Sequence, residues 1–393
     1  MKKTVYIIAG EPSGDILASR LMDALRKREP QLQFCGVGGE TMIDRGFTSV
    51  FDIKDISVMG FWEVLPKLPV ILKRMRLVMR HIKEVNPDVI VTVDSWGFVS
   101  AILKKLKKSN SRIPAVHYVA PQVWAWKKGR AKKAAKLPDH LMTLLPHEPP
   151  YFEKYGLPCT FVGHPVMENI ANLPETASEL RTRYDIPEKA LVLSVLPGSR
   201  RNEIKKLAPV FIQVLENIAG KYPDLYLLIP TVVAMEDEVR KIFSRIAIPH
   251  KIITGQQMRY NAFCMSDFAL AASGTVSLEL ATCRTPHIIA YKFNYITNKI
   301  AERLVITKYA NLINILADKF IIPEFVLDNC RADLITPVVL EYLQNPTSGQ
   351  KQQEEASIYL HQLTSPDMLP SEKAAEVVLN LISSKSDNCN IKQ

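Results

Sequence analysis

Residues 4–15 read TVYIIAGEPSGD, an apolar run that stops at Gly10 and continues into a polar stretch typical of a helix start. Residues 191–204, LVLSVLPGSRRNEI, repeat this design in the second half of the chain. A buried strand that breaks at glycine before a helix leaves backbone N–H groups unpaired, and such groups bind phosphate or another anion. We therefore expect two domains that face one another across a cleft, each with an anion site.

Apolar runs and helical periods alternate in both halves. Helical periodicity is clearest at 14–28 and 99–108. The alternation is typical of parallel sheets with helices on both faces, and hence of an α/β fold. The predicted strands are 4–9, 33–37, 88–93, 114–119, 140–145, 191–196, 225–231, 251–255, 268–273 and 287–292.

Length and composition agree with two globular domains. The chain has 393 residues, of which 47% are hydrophobic and 23% charged, and this length exceeds a single ordinary core. Gly163, His164, Pro165 and the polar residues that follow mark a linker. The predicted organisation is a first domain at 1–165, a second at 166–365, a helix at 366–384 and a disordered tail at 385–393. The helix is expected either to cross back to the first domain or to exchange with a neighbouring chain.

The charge of the chain points to an anionic partner. Its net charge is +10, which suits a phosphorylated substrate, an anionic membrane face or nucleic acid. The six cysteines are scattered, as expected for reduced thiols in a cytosolic protein. The N-terminal apolar run is too short for a signal peptide, and no apolar stretch of about 18 residues predicts a membrane span.

Two glycine turns in the second half predict a diphosphate site. Ser273, Gly274 and Thr275 follow a strand and precede a helix, so a hydroxyl there is expected to cap the helix. Glu279 lies one turn further, where a carboxylate accepts hydrogen bonds from ribose hydroxyls. Alternatively, this is an ordinary capped helix with an acidic first turn. Arg200, after another strand, favours the first interpretation because it can pair with the diphosphate.

Polar and aromatic residues at strand ends of the first half predict a second site. Asp94 follows the strand at 88–93, where a carboxylate is either a general base or the N-cap of the next helix. His117 ends the neighbouring strand, where a histidine is commonly structural. Trp124 and Trp126 stand among cations, which suggests a cleft wall that contacts a sugar or a lipid phosphate.

Residues 68–83 form a basic amphipathic pattern of helical period. With Phe61 and Trp62 beside it, such a helix is expected to rest in the headgroup layer of an anionic membrane. In the alternative, the same apolar stripe packs on the core of its own domain. The stripe comprises Ile71, Met75, Val78 and Ile82, and the cations are Lys73, Arg76, Arg80 and Lys83.

Six blocks of the sequence, in order, resemble the lipid-A-disaccharide synthase family: AGEPSGD, VMGFWEVL, HYVAPQVWAWKKGR, FVGHPV, LPGSRRNEI and SGTVSLELA. The resemblance implies a GT-B fold, in which two Rossmann-like domains with parallel sheets face a central cleft. It implies an inverting, metal-independent transfer of 2,3-diacylglucosamine from UDP to 2,3-diacylglucosamine 1-phosphate, without a cofactor. The products are a β-1,6-linked disaccharide 1-phosphate and UDP.

The resemblance also implies roles for single residues. Asp94 matches the family's general base, although Gly97 stands where some members have a second acidic residue. A further block at 309–325 contributes Asn314 and Glu324 near the donor. The implied donor side is Gly198, Ser199, Arg200, Ser273, Gly274, Thr275, Glu279 and Asn314. The implied acceptor side is Glu11, Ser13, Asp15, Met59, Gly60 and Glu63, and the positions of His117, Trp124 and Trp126 assign these three residues to the same side.

Two other functions remain open at this point. A UDP-N-acetylglucosamine 2-epimerase would use a similar donor half, and a basic nucleotide-binding protein without activity would share the charge. Nucleic acid is not an expected partner, because no dense basic tract with stacking aromatics occurs. The expected location is the cytoplasm, at the surface of the inner membrane, with a homo-oligomer as a further expectation.

Overall fold

The structure is a computed structural model that describes residues 2–57, 61–123, 129–172, 176–292, 308–364 and 368–390. It describes the backbone alone at 61–65, 170–172 and 385–390. The chain divides into two compact units. Unit 1 comprises Met1–Pro165 and Leu363–Gln393, and unit 2 comprises Val166–Gln362.

Strands and helices alternate along unit 1. Its strands are β1 (Thr4–Ala9), β2 (Gln33–Val37), β3 (Val89–Val93), β4 (Ala115–Tyr118), β5 (His140–Thr143) and β6 (Cys159–Phe161). Its helices are α1 (Pro12–Arg28), α2 (Glu40–Ile43), α3 (Phe61–Val85), α4 (Trp96–Lys108), α5 (Arg130–Ala134), α6 (Pro149–Glu153) and, at the C-terminal end of the chain, α15 (Pro370–Asn390).

The described strands of unit 1 form a six-stranded parallel sheet in the order β2-β1-β3-β4-β5-β6. Strand β1 pairs with both β2 and β3, so Ala9 lies beside Val93. The strand order reverses here, and ligands of doubly wound sheets bind at the carboxyl ends of the strands at such a reversal. The turns that follow Ala9 and Val93 therefore lie where a site is expected.

Alternate residues of β1 pack on opposite faces of the sheet. Val5 and Ile7 join a core with α1 and α15, whereas Tyr6 and Ile8 join a core with α3 and α4. All four side chains are fully buried. Each side chain of this size contributes about 1.5–3 kcal/mol on burial, so the two cores hold β1, and the turn that follows it, in place.

The C-terminal helix α15 belongs to unit 1. Ala374, Val378 and Ile382 are buried in the core shared with α1, and Lys27 of α1 pairs with Glu372 at 2.8 Å. The helix continues to Asn390, into the stretch for which the sequence predicts a disordered tail. Residues 391–393 lie outside the described part of the chain.

Helix α3 packs its apolar stripe inwards. Met75, Val78 and Ile82 are buried in a core of unit 1, and Ile71 packs against them. The interpretation in which this stripe rests in a membrane is therefore wrong, because its burial against the sheet leaves no apolar face there for lipid. Lys73, Arg76, Arg80 and Lys83 are exposed, as expected. Among the described residues, no helix combines the length and the apolar character that a bilayer span requires.

Unit 2 repeats the alternation. Its strands are β7 (Leu191–Leu196), β8 (Leu225–Pro230), β9 (His250–Ile253), β10 (Phe268–Ala272), β11 (His287–Tyr291) and β12 (Glu324–Val326). Its helices are α7 (Ala177–Arg183), α8 (Arg201–Ala219), α9 (Glu236–Phe243), α10 (Gln256–Met265), α11 (Val276–Thr282), α12 (Leu312–Ala317), α13 (Ala332–Gln344) and α14 (Pro346–His361).

The described strands of unit 2 also form a six-stranded parallel sheet, in the order β12-β11-β10-β7-β8-β9. Strand β7 pairs with β8 and β10, and Leu196 lies beside Ala271. The turns after β7 and β10 are thus neighbours at the carboxyl edge. Helices α8, α9 and α13 cover one face of this sheet, whereas α7, α10 and α11 cover the other. The parallel sheets of the two units confirm the α/β prediction.

Candidate functional site

The turn after β1 and the end of β3 meet at the carboxyl edge of the unit 1 sheet. The hydroxyl of Ser13, in the first turn of α1, donates a hydrogen bond to Asp94 Oδ2 at 2.8 Å. The two segments approach so closely that a Cβ on Gly10 would lie 2.5 Å from Cβ of Ser95. Position 10 therefore requires glycine, and the close approach brings a hydroxyl onto the Asp94 carboxylate.

Asp94 has an unusual backbone conformation. Asp94 and Ser95 have φ angles of 53° and 45°, both in the left-handed region. This conformation costs a non-glycine residue about 1–2 kcal/mol, and such strain clusters at functional sites. Ser95 occupies the N-cap of α4 without a side-chain capping bond, so the alternative in which Asp94 caps that helix is wrong. The half-buried Asp94 carboxylate instead makes an exposed hydrogen bond with Ser13.

Asp15 has a different environment from Ser13. Its side chain is 3% exposed. Oδ1 accepts a hydrogen bond from Gly39 N at 2.7 Å, and Oδ2 accepts bonds from the backbone N–H and the hydroxyl of Thr41. Hydrogen bonds to a carboxylate are strong. Asp15 therefore fixes the loop before α2, and this buried structural role replaces the predicted contact with the acceptor.

The other residues predicted on the acceptor side are placed as follows. Glu11 is the N-cap residue of α1 and is half-buried, while Ser13 is exposed. Phe61, Trp62 and Glu63 begin α3, where the backbone alone is described. Met59, Gly60, Trp124 and Trp126 lie outside the described residues.

His117 is fully buried in β4. Its Nδ1 lies 2.9 Å from Oγ1 of Thr92, and its ring packs on the indole of Trp96 with the ring centroids 4.8 Å apart. Burial lowers the pKa of His117 to about 3, so the imidazole is neutral in the folded protein. The sequence assigns His117 to acceptor binding, but in the structure its side chain is fully buried and contacts Thr92 and Trp96.

The buried histidines of unit 1 predict a loss of stability in acid. Burial lowers the pKa of His117 to about 3 and that of His164 to about 4. The unfolded chain takes up these protons below about pH 6.5, whereas the folded chain does not. The free energy of unfolding is therefore unaffected by these groups above about pH 6.5, and each lowers it by about 1.4 kcal/mol per pH unit below that value.

Urea unfolding of the wild type and of His117→Asn, which keeps a polar partner for Thr92, checks this expectation. Between about pH 7.5 and 5.5, the variant should lose about 1.4 kcal/mol less unfolding free energy than the wild type. Equal losses in the two proteins would contradict the expectation.

The turn between β7 and α8 folds around a glutamate. Gly198 has a φ of 123°, and a Cβ on it would lie 2.6 Å from Cβ of Glu203. Glu203 Oε2 accepts a hydrogen bond from Ser199 N at 3.1 Å, and Oε1 pairs with Arg200 Nη1 at 2.9 Å. The Glu203 carboxylate thus binds a backbone N–H group and a cation, both of which are groups that can bind phosphate. The Arg200 side chain is 54% exposed and remains accessible.

The turn between β10 and α11 lies beside the first turn. Ser273 is half-buried, its N–H bonds Ala290 O, and its hydroxyl reaches Ala310 O at 3.3 Å. Gly274 and Thr275 are exposed, and the space beside Gly274 is open. Thr275 is the N-cap residue, but neither hydroxyl caps α11. The two turns together place exposed backbone and Arg200 along one edge of the unit 2 sheet.

Glu279, one turn into α11, belongs to a polar network. Its Oε1 pairs with Arg259 Nη2 at 2.7 Å. The phenol of Tyr260 lies beside it. Burial raises the pKa of Tyr260 well above its usual range, and the negative charge of Glu279 adds to this increase. Asn169 Nδ2 donates to the same phenol. The glutamate is therefore held in a defined orientation close to the glycine turn.

Asn314 is fully buried in α12. Its Nδ2 donates to Ile322 O and to Glu324 Oε1, and its Oδ1 accepts from the N–H groups of Ile321 and Ile322. These four bonds use the whole capacity of the amide, so the implied contact with the donor is replaced by a structural role. Glu324 accepts from the N–H groups of Ala310 and Asn311, and burial raises its pKa.

Two residues of the site escaped prediction from sequence. Glu203 carried a usable signal, because it is the third helical residue after the N-cap Arg200, where glutamate commonly folds back on a helix start. Arg259 carried none, since its contact is with Glu279, a residue 20 positions away on a different helix. Only the packing of α10 beside α11 brings the pair together.

Comparisons with known proteins identify a family. The family described as lipid-A-disaccharide synthetase matches residues 5–378. The lipid-A-disaccharide synthase of Rhodospirillum centenum is 43% identical over 382 residues, which cover 97% of this chain and 95% of that relative.

Solved structures with the same GT-B fold include a UDP complex of MnaA from S. aureus. It has a TM-score of 0.67 at 13% identity and covers 98% of this chain and 97% of that one. The UDP-GlcNAc 2-epimerase of Neisseria meningitidis, bound to UDP-GlcNAc, gives a TM-score of 0.64 at 11% identity. The match covers 97% of this chain and 100% of that one. These identities establish the fold alone, whereas the family match extends over nearly the whole sequence. The chain therefore belongs to the lipid-A-disaccharide synthase family of glycosyltransferases.

Proposed function

We propose that this chain transfers 2,3-diacylglucosamine from its UDP carrier to the 6-hydroxyl of 2,3-diacylglucosamine 1-phosphate. The products are the β-1,6-linked disaccharide 1-phosphate and UDP. The observation that carries the proposal is the 43% identity to a lipid-A-disaccharide synthase along 97% of the chain. The geometry of the two carboxyl edges supports a division of labour, with the acceptor at unit 1 and the donor at unit 2.

Asp94 is the proposed general base. It follows β3 at the sheet reversal, its backbone N–H bonds Tyr118 O of the neighbouring strand, and Ser13 donates to one carboxylate oxygen. A substrate hydroxyl within hydrogen-bond reach of the carboxylate would lose its proton to Asp94 as it attacks. The acceptor oxygen forms the new bond to C1 of the donor sugar. The bond from C1 to the UDP oxygen breaks, and its electron pair leaves with UDP, so the anomeric centre is inverted.

The donor nucleotide is proposed to bind along the carboxyl edge of unit 2. Its diphosphate would take the place of the Glu203 carboxylate at Ser199 N and Arg200, and would face the open turn at Gly274. Glu279, oriented by Arg259, would accept hydrogen bonds from the ribose hydroxyls. Arg200 then stabilises the negative charge that develops on the departing UDP.

Product analysis tests the proposal. Purified protein with both lipid substrates should form the disaccharide 1-phosphate and UDP in equal amounts, with a β anomeric proton in the NMR spectrum of the product. With the UDP-sugar alone, little UDP should be released and the configuration at C2 should not change. Epimerisation of the donor in the absence of acceptor would overturn the assignment in favour of the epimerase.

Peripheral binding to the cytoplasmic face of the inner membrane is part of the proposal. Leu68, Val70 and Leu72 near the start of α3 are 45%, 41% and 36% exposed. Exposed cations follow on the same helix, including Arg76 and Arg80. Apolar residues next to cations suit the interface of an anionic membrane. The contact surface is thus the N-terminal part of α3, distinct from the buried stripe.

Charge reversal at α3 should weaken this binding. Each cation near an anionic surface contributes about 1 kcal/mol, so Arg76→Glu with Arg80→Glu should lower the partition coefficient onto anionic vesicles by at least about tenfold. Lys104→Glu with Lys108→Glu is the matched control, because these exposed lysines have the same spacing on α4. Sedimentation with vesicles provides the measurement. Equal losses in both double variants, or none, would contradict the proposed surface.

A further inference from the structure

Unit 1 contains a half-open cavity of about 220 Å³ that reaches Trp96, at the N-terminal end of α4. It lies between α4, the described residues Pro121 and Val123 after β4, and the stretch from α5 to Leu137. Most of its wall is apolar, with Ser100 as a small polar residue on α4. The apolar lining consists of Trp96, Pro121, Val123, Ala134 and Leu137.

The cavity begins close to the proposed base. Trp96 is the first residue of α4 and follows Asp94 by two positions. Behind Trp96 lies the ring of His117, which is fully buried and neutral. The wall at this end therefore carries no charge. A ligand group in the cavity would lie within the first turns of the helix that Asp94 precedes.

Two cations complete the lining. Arg130 and Lys133 of α5 border the cavity, and both side chains are exposed to solvent. An apolar interior with cations at its border suits an apolar chain that is attached to an anionic head group. The volume corresponds to about seven water molecules at their share of the liquid, so the cavity has room for part of a chain.

We propose, on the basis of the proposed function, that this cavity holds part of one acyl chain of the acceptor, with the acceptor phosphate facing Arg130 and Lys133. The acyl chain anchors the acceptor in unit 1 so that its hydroxyl lies within reach of Asp94. The lining of α4 and α5 thereby selects acceptors by the length of their acyl chains. Small side chains at Ser100 and Ala134 keep the interior open.

Filling the cavity from α4 provides the test. In Ser100→Phe, the ring should exclude about two methylenes, so KM for a long-chain acceptor should rise about tenfold while kcat changes little. Short-chain acceptors should be much less affected. Ser109→Phe, at the C-cap of α4 and outside the cavity lining, is the matched control, because Ser109 and Ser100 each donate to a carbonyl three residues earlier. Unchanged discrimination between chain lengths in Ser100→Phe would overturn the proposal.

Direct binding of cis-parinaric acid to the full-length protein gives a second readout that needs no turnover. Its fluorescence should report binding to the wild type and to Ser109→Phe, with at least about tenfold weaker binding to Ser100→Phe. Replacing Arg130 and Lys133 with glutamine should weaken binding of the acid but not of its methyl ester. Equal affinity of the wild type and Ser100→Phe for the acid would overturn the proposal. A wild type that binds the acid but forms no disaccharide would instead contradict the proposed function alone.

Discussion

Replacement of Asp94 by asparagine is expected to lower kcat for disaccharide formation by about 10²–10⁴-fold, the usual contribution of a general base. Asparagine has nearly the same shape and still accepts the hydrogen bond from Ser13 through its oxygen. It cannot take up the proton of the attacking hydroxyl. Affinity for UDP should stay unchanged, because the proposed nucleotide site belongs to unit 2.

Asp139→Asn is the matched control for this experiment. Asp139 precedes β5 at the opposite, amino edge of the same sheet, where it accepts from Lys107 Nζ at 2.6 Å and from Ala115 N at 2.9 Å. Its replacement should affect stability rather than kcat. Steady-state kinetics and UDP titration of both variants separate the cases. Activity of Asp94→Asn within a few fold of the wild type would remove Asp94 from the chemistry.

The second large effect is expected at Arg200. Arg200→Gln should lower kcat/KM for the UDP-sugar by about 10²–10³-fold, because the departing diphosphate loses a charged hydrogen-bond donor. UDP itself should also bind more weakly. Removal of Arg200 leaves the turn intact, since Ser199 N still bonds Glu203. The loss therefore reports on ligand binding rather than on folding.

Arg201→Gln supplies the control for Arg200. Arg201 is the next residue, is 65% exposed, and pairs with Glu238 instead of Glu203. We expect near wild-type kinetics for this variant, since surface ion pairs contribute about 1 kcal/mol or less. Calorimetric titration with UDP, followed by initial rates, gives the comparison. A similar loss in both variants would indicate a general effect of positive charge and would contradict the specific role of Arg200.

The parallel sheets were predictable because their central strands are buried on both faces. Runs such as TVYIIA and LVLSVL are apolar without alternation, and the glycine turns mark where they end. The edge strands β6 and β12 have three residues each, too few for a periodic signal, and the sequence did not predict them. Whether such a short segment forms a strand depends on the strand beside it more than on its own residues.

Helix α3 illustrates a limit of periodicity. An apolar stripe with cations opposite has the same pattern whether it faces lipid or the core of its own domain. In the structure the stripe faces the core, because Val78 and Ile82 are buried against the sheet. The exposed apolar residues Leu68, Val70 and Leu72 follow no simple stripe, so only their exposure in the structure identifies them.

The structure distinguishes among the residues that the sequence assigns to the candidate site. Asp94, Arg200 and Glu279 lie at strand ends or helix starts, where the fold itself makes their positions informative. Asp15 and Asn314 have polar side chains that suit ligand binding, yet buried backbone groups occupy their hydrogen bonds. Those backbone partners belong to loops, and no local sequence pattern predicts that these loops pack against Asp15 and Asn314. Residue type and sequence position alone therefore do not distinguish candidate ligand-binding residues from residues that stabilise the fold.

A crystal structure with UDP tests the central claim most directly. We expect the diphosphate to contact Ser199 N and Arg200, with the Glu203 carboxylate displaced from both, and the ribose hydroxyls to bond Glu279. A nucleotide bound away from the turns after β7 and β10, with the Arg200–Glu203 pair intact, would contradict the account.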